Sequence, residues 1–171
     1  MNKTIIVTYA SKHGATAEIS KKIGEILTQA GFQTALADAK TVGDLSPYWA
    51  IVLGSAVYYG KWRQEAVKLL KANEQVLSTK PTWLFSSGPT GDGKPLELLN
   101  GWRFPPGQQE IADRIQPHDI ALFHGALDPD KLNYFEKWIL KNVKSPVGDY
   151  RDWDTITSWA NSIAETLQEI S

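Results

Sequence analysis

The chain has no cysteine in its 171 residues. That absence removes disulfide frameworks, thiolate nucleophiles, cysteine zinc sites and cysteine-ligated iron–sulfur clusters together, so any redox chemistry has to come from a bound cofactor. Long apolar runs are missing as well. No stretch approaches the roughly 18 uncharged residues of a membrane-spanning helix, and the run Ile5-Ile6-Val7 near the N-terminus is too short for a signal core. A soluble, cytoplasmic chain is expected. Charge of one sign is scarce: 18 basic against 19 acidic side chains leave a net −1, which advertises no nucleic acid. The three histidines, His13, His118 and His124, are scattered without H-E-x-x-H, and His118 reads as a strand-entry residue. There is no G-x-S-x-G elbow and no carboxylate pair whose context demands acid–base work.

What is present reads as a globular domain. With 42% hydrophobic and 22% charged residues the chain can build a core, and its length fits a single domain over 1–171. Strands are expected at Ile5–Val7, Gln33–Asp38, Trp49–Leu53, Pro81–Ser86 and Ile120–Phe123. Helices are expected at Thr16–Ala30, Gln64–Ala72, Gln109–Ile115, Leu132–Val143 and Asp154–Glu169. The Gly- and Pro-rich stretch 87–107 reads as a long loop. Strands alternating with helices imply an α/β fold, a doubly wound five-stranded parallel sheet of order 2-1-3-4-5 with helices on both faces. Ligands in such sheets sit beyond the carboxyl ends of the strands, where the chain order reverses. Three loops are thereby singled out.

The first, Ser11-Lys12-His13-Gly14-Ala15-Thr16, lies between a strand and its helix, where backbone N–H groups and a helix N-terminus converge on an anion. Ser11 and Thr16 add hydroxyls, Gly14 allows close approach, and Lys12 or His13 adds positive charge at the rim. The plain alternative is a Ser11 or Thr16 helix cap with a tight turn at Gly14. The second, Ser55-Ala56-Val57-Tyr58-Tyr59-Gly60-Lys61-Trp62, gathers three aromatics that suit a flat conjugated ring, with Tyr59 or Trp62 as the stacking residue; packing under the next helix is the alternative. The third, Ser87-Gly88-Pro89-Thr90-Gly91, supplies small residues and backbone donors. Gly88, Gly93 and Lys94 also match G-x-x-x-x-G-K. The nucleoside-triphosphatase reading fails because Pro95 replaces the magnesium-binding hydroxyl and no helix is expected to begin there.

On the first loop the chain resembles flavodoxins and flavodoxin-like flavoproteins, whose S/T-x-x-G-x-T pattern reads here Ser11-Lys12-His13-Gly14-Ala15-Thr16. The resemblance implies flavin mononucleotide (FMN), its phosphate on the first loop and its ring held by the other two. It also implies that the Gly60 peptide reorients when the flavin is protonated. A closer resemblance is to the menaquinone-dependent protoporphyrinogen oxidases. It rests on Tyr59-Gly60, Gly125-Ala126-Leu127, the aromatic-basic segment Tyr134-Phe135-Glu136-Lys137-Trp138-Ile139-Leu140-Lys141, and Asp152-Trp153. Two places depart from that group: Tyr58 stands where an arginine is usual, and a Gly/Pro-rich loop replaces a long basic insertion.

The resemblance implies an FMN-dependent oxidoreductase passing electrons from a small-molecule donor to a quinone or another acceptor. The competing class is a flavodoxin-type carrier with a protein reductase as partner, and a third is a scaffold without flavin. Carriers of that family are commonly acidic, whereas here residues 1–85 carry ten Lys/Arg and six Asp/Glu, net +4, and residues 86–171 eight and thirteen, net −5. Phe135, Trp138 and Ile139 are expected to share a sheet-facing side of their helix, with the lysines as a solvated flank. The alternative is a helix lying on a membrane surface that brings a quinone within reach. Trp153 and Trp159 are expected as core or helix-anchor residues and not as cofactor contacts.

Overall fold

The computed structural model describes residues 3–143 and 146–171. Its main sheet is parallel, built from β1 (Thr4–Ala10), β2 (Gln33–Asp38), β3 (Ala50–Tyr58), β5 (Thr82–Ser87) and β6 (Asp119–Phe123) in the order β2-β1-β3-β5-β6. Counted as five long strands, this is the order 2-1-3-4-5 read from the sequence. A two-residue strand, β4 (Lys61–Trp62), pairs antiparallel with the end of β3.

Alternation along the strands sends apolar side chains to both sides, as a sheet covered on both faces requires. Ile5, Val7, Val52 and Phe85 meet α1 (Ala15–Gln29) and α7 (Trp153–Glu169), where Ile19, Ile23, Leu27, Ile163 and Leu167 are buried. On the opposite face Ile6, Ile51, Leu53 and Leu84 meet α2 (Gln64–Ala72), α3 (Glu74–Thr79) and α5 (Gln109–Ile115). Trp159 is buried as expected, its ring edge-on to Phe85 and Phe123 and its indole N–H donating to Asp119 at 2.8 Å. His118 precedes β6 and stacks on Trp83.

Three differences from the sequence reading matter for the site. First, β3 does not stop at Gly54; it runs on through Ser55–Tyr58, residues expected in a loop, because Val57 and Tyr58 find antiparallel partners in Trp62 and Lys61. The connecting Tyr59 and Gly60 both have positive φ, 51° and 70°, the signature of a type I′ hairpin turn. Second, the 87–107 stretch is not structureless: a single helical turn, α4 (Pro95–Leu98), starts at Pro95, whose missing N–H costs nothing at that position. Third, an excursion leaves the sheet after β6. It comprises β7 (Ala126–Leu127), α6 (Tyr134–Val143) and β8 (Gly148–Asp149), with β7 and β8 paired antiparallel, and it rejoins the fold at α7. Among the described residues no helix is long and apolar enough to cross a membrane.

Candidate functional site

The carboxyl ends of β1, β3 and β5 bring the three expected segments together, with the reversal of strand order between β1 and β3. In the first segment Gly14 is the N-cap of α1, held at φ 94° with nothing within 4 Å of where a Cβ would project. No side chain caps the helix. Ser11 instead turns back, its Oγ accepting the Gly14 N–H at 3.0 Å, so the expected alternative of a Ser11 or Thr16 cap does not form. The first helical bond runs from Glu18 N–H to the Gly14 carbonyl, and the N–H groups of Ala15, Thr16 and Ala17 find no acceptor among the described residues. Unused donors at the positive end of a 15-residue helix, beneath open space, fit an anion.

Thr16 is buried, and its hydroxyl lies 2.8 Å from that of Ser87, tying the first turn of α1 to the end of β5. Lys12 and His13 do not stand as free cations at the rim. Lys12 Nζ is 3.0 Å and His13 Nε2 2.8 Å from the same oxygen of Glu136, which projects from α6. Burial pushes the Glu136 carboxyl up, but the bonds from His13, Lys12 and the Asn133 backbone outweigh it and hold it below the ordinary value. Positive charge on the loop is already matched, so recognition of an anion falls to the backbone N–H groups and hydroxyls.

In the second segment, Ser55 is buried, its hydroxyl donating to the Ala56 carbonyl and accepting the Arg63 N–H. Ala56 is buried too, and Val57 is partly so. The aromatics divide sharply. Tyr59 is 75% exposed at the hairpin tip and Tyr58 37%. Burial pushes the Tyr58 phenol up against the opposing charge of Arg63, with Glu136 adding to the rise. Trp62, expected as a stacking residue, is in the core instead: its N–H donates to Ser86 at 2.7 Å and its ring sits edge-on to Phe104. Its pairing with Val57 turns both toward the α2 side of the sheet. The Nε of Arg63, beside Tyr58, is buried without a partner among the described residues.

The third segment is hemmed in by backbone. A Cβ on Gly88 would lie 2.9 Å from the Val57 carbonyl oxygen, and one on Gly125 would lie 2.8 Å from Gly88. Only glycine permits this crossing of three chain segments. Pro89 is buried and its carbonyl accepts the Gly125 N–H at 2.9 Å; Thr90 is half-buried, and a Cβ on Gly91 would meet Pro146 at 3.1 Å. Ser87, buried, faces Thr16.

Sequence reasoning missed the partner that closes this end of the sheet. Glu136 reaches the first segment across 123 residues. Arg151 bonds Asp149, Glu18 and the Ala15 carbonyl, pinning the excursion to the start of α1. No local pattern marks such pairs.

A family model for the flavodoxin domain matches residues 6–154. The chain belongs to the flavodoxin domain family. Solved structures agree on the fold. A flavodoxin from the domain Archaea is 18% identical, with 96% of this chain and 99% of that one covered at a TM-score of 0.58. Flavodoxin 2 from Bacillus cereus is 21% identical, with 96% and 99% covered at 0.59. A rubredoxin oxygen:oxidoreductase from Desulfovibrio gigas is 14% identical at 0.64, with 98% of this chain covered. This flavodoxin domain spans only 36% of that longer protein. No curated protein matches the chain. The cofactor of this flavodoxin domain is FMN, and the uncapped α1 terminus over Gly14 with its unused donors suits the phosphate of that group.

Proposed function

We propose that this protein is an FMN-dependent oxidoreductase of a single domain that passes electrons from a small-molecule donor to a quinone or another acceptor, in the manner of the protoporphyrinogen oxidases it resembles. Bound FMN supplies one- and two-electron redox chemistry, and the protein supplies position and polarity. Ser11, Lys12, His13, Gly14, Ala15 and Thr16 form the phosphate cradle through their backbone N–H groups and the Ser11 and Thr16 hydroxyls, while the Lys12 and His13 side chains hold Glu136. The Tyr58-Tyr59-Gly60 hairpin and Ser87-Gly88-Pro89-Thr90-Gly91 would hold the ring, with Ser55, Ala56 and Val57 supporting the hairpin from the end of β3. Tyr58, whose phenol burial pushes further up, offers a hydrogen-bond donor at Oη.

The observation that carries this reading is the excursion folded back onto the cofactor end of the sheet. Glu136 sits on the first segment and Gly125 on the third, which sets the excursion against two of the three segments and gives a small substrate something to be held against. Near end-to-end coverage of simple flavodoxins favours the second reading, a carrier served by a protein reductase. In either case the site of action is the cytoplasm, against the membrane if the acceptor is a quinone.

The test begins with the purified protein. Yellow colour released as FMN on denaturation is expected, and a colourless protein that takes up no added FMN sinks both readings. Turnover of a reduced tetrapyrrole with a soluble quinone analogue is the outcome expected of the oxidoreductase. Failure of that turnover together with saturable exchange with a flavoprotein reductase leaves the carrier.

A further inference from the structure

The helix expected to bury Phe135 and Trp138 does the reverse. Tyr134, Phe135 and Trp138 of α6 are 91%, 67% and 60% exposed, and the rings of Phe135 and Trp138 stack on one another at 6.3 Å, so they form a continuous apolar surface. Three- and four-residue spacings place Tyr134, Trp138 and Lys141 on one outward side, flanked by Phe135 and Lys137. The inward side is Ile139 and Leu140, both half-buried, with Glu136 between them on its ion pairs to Lys12 and His13. The only acidic residue of α6 is thus turned inward and neutralised. Lys131, Lys137 and Lys141 are exposed, while Asp128 and Asp130 lie on the preceding turn, where the Asp128 carboxylate is engaged with the Asp130 N–H.

We propose that α6 is the surface by which this protein docks on an anionic lipid bilayer. Tyr134, Phe135 and Trp138 enter the headgroup region and Lys137 and Lys141 meet lipid phosphate. Tryptophan and tyrosine concentrate at membrane–water interfaces, where one end of the ring is apolar and the other wet. Lysine flanks the aromatics here, and lysine is depleted at the core of protein–protein interfaces, which favours lipid over a protein partner. The geometry has a functional corollary. Glu136 joins the opposite side of the same helix to the first segment, so docking holds the cofactor end of the sheet about one helix diameter, roughly 10 Å, from the bilayer surface. That corollary rests on the proposed quinone acceptor; the docking itself does not.

The experiment is cosedimentation of the full chain with vesicles of phosphatidylcholine, with and without phosphatidylglycerol. Binding is expected only to the mixed vesicles and should weaken as salt rises. Phe135→Ser with Trp138→Ser should lower the partition coefficient on the order of a hundredfold. Lys137→Gln with Lys141→Gln should lower it about thirtyfold. All four side chains are solvent-facing, so melting temperatures should match the parent protein; the lysine variant alone decides the matter if the aromatic one does not fold. The proposal is overturned by absence of binding to mixed vesicles, or by binding that both variants retain. It is equally overturned by light scattering that shows a dimer dispersed by the aromatic substitutions, which would assign the surface to a second copy. Vesicle binding is read whether or not flavin is present, so failure of the redox reading leaves this result distinct.

Discussion

Two regions of this molecule are held by different forces. The sheet with α1, α2, α3, α5 and α7 is closed by apolar burial on both faces, with Ile5, Ile6, Ile51, Leu53, Leu84 and Phe85 fully buried. Among its described residues, the excursion from Gly125 to Arg151 contributes no side chain to either core cluster; Trp153, at the start of α7, is the first residue beyond it to pack there. It is attached by Glu136 to the first segment, by Arg151 to α1, and by the Gly125 N–H to Pro89. Polar attachments that stay partly in water contribute little each, and apolar burial contributes much, so the two regions should differ in stability. The one expected to be less stable is the one bonded to the first and third segments.

The sharpest way to break the comparison is to strike the scaffold. Phe85 is fully buried against Phe123 and Trp159 and fills the space over Gly54. Phe85→Ala should cost about 3–5 kcal/mol, read by urea unfolding, and should take the excursion down with the sheet. A smaller effect, at the junction, follows from Gly125→Ala. Its Cβ would lie 2.8 Å from the Gly88 backbone, which cannot swing aside, so about 1–3 kcal/mol is expected. Faster proteolysis within 124–152 should accompany it; equal resistance to proteolysis would mean that the crossing relaxes without cost.

The scaffold was legible because its physics is local. β-branched runs, 3.6-residue apolar spacing and a glycine at the head of α1 fix strands, helices and the anion-shaped first segment. The full length of β3 is not legible because Ser55 and Ala56 look like loop residues; their pairing with Ala10, Ser86 and Ser87 on the neighbouring strands, and that of Val57 and Tyr58 in the hairpin closed by Tyr59-Gly60, show otherwise. Trp62 was misplaced for the same reason: its pairing with Val57 turns it inward. The excursion was not legible in this way. Amphipathic spacing in α6 reports that an apolar side exists and not what it faces, and the direction is set by Glu136 meeting His13 and Lys12, 123 and 124 residues away in sequence.

Between the two regions, Arg151 tests how much one polar anchor is worth. Its guanidinium is 9% exposed, paired with Asp149 and Glu18, donating to the Ala15 carbonyl and lying over the Trp153 ring. The bond from Arg151 holds the Asp149 carboxyl below its ordinary value. Arg151→Met keeps the stem and removes every one of these bonds. A loss of about 1–2 kcal/mol is expected, since both carboxylates are half-exposed and recover water. It should appear as faster amide exchange in β7, β8 and the first turn of α1, with α2 and α5 unchanged. Uniform loss across the sheet would show that the excursion is part of the same cooperative unit and would erase the distinction.

The smallest effect is the most specific, because its sign depends on pH. The Glu136 carboxyl is held below its ordinary value of 4.5, so its bonds to His13 and Lys12 stabilise the folded state fully above about that pH. The contribution shrinks as pH falls below 4.5 and is gone once pH has passed through the lowered folded value, where both states carry the proton. Glu136→Gln should therefore be less stable than the parent by about 0.5–1.5 kcal/mol at pH 7 and equal to it in strong acid. Melting curves of both proteins between neutral pH and pH 3 measure the difference. Gln keeps the shape of Glu and removes its charge, so equal stability of the two proteins at pH 7 would mean that Glu136 acts through shape alone, and the excursion would then be held against the cofactor end by packing, as the scaffold is, and not by charge.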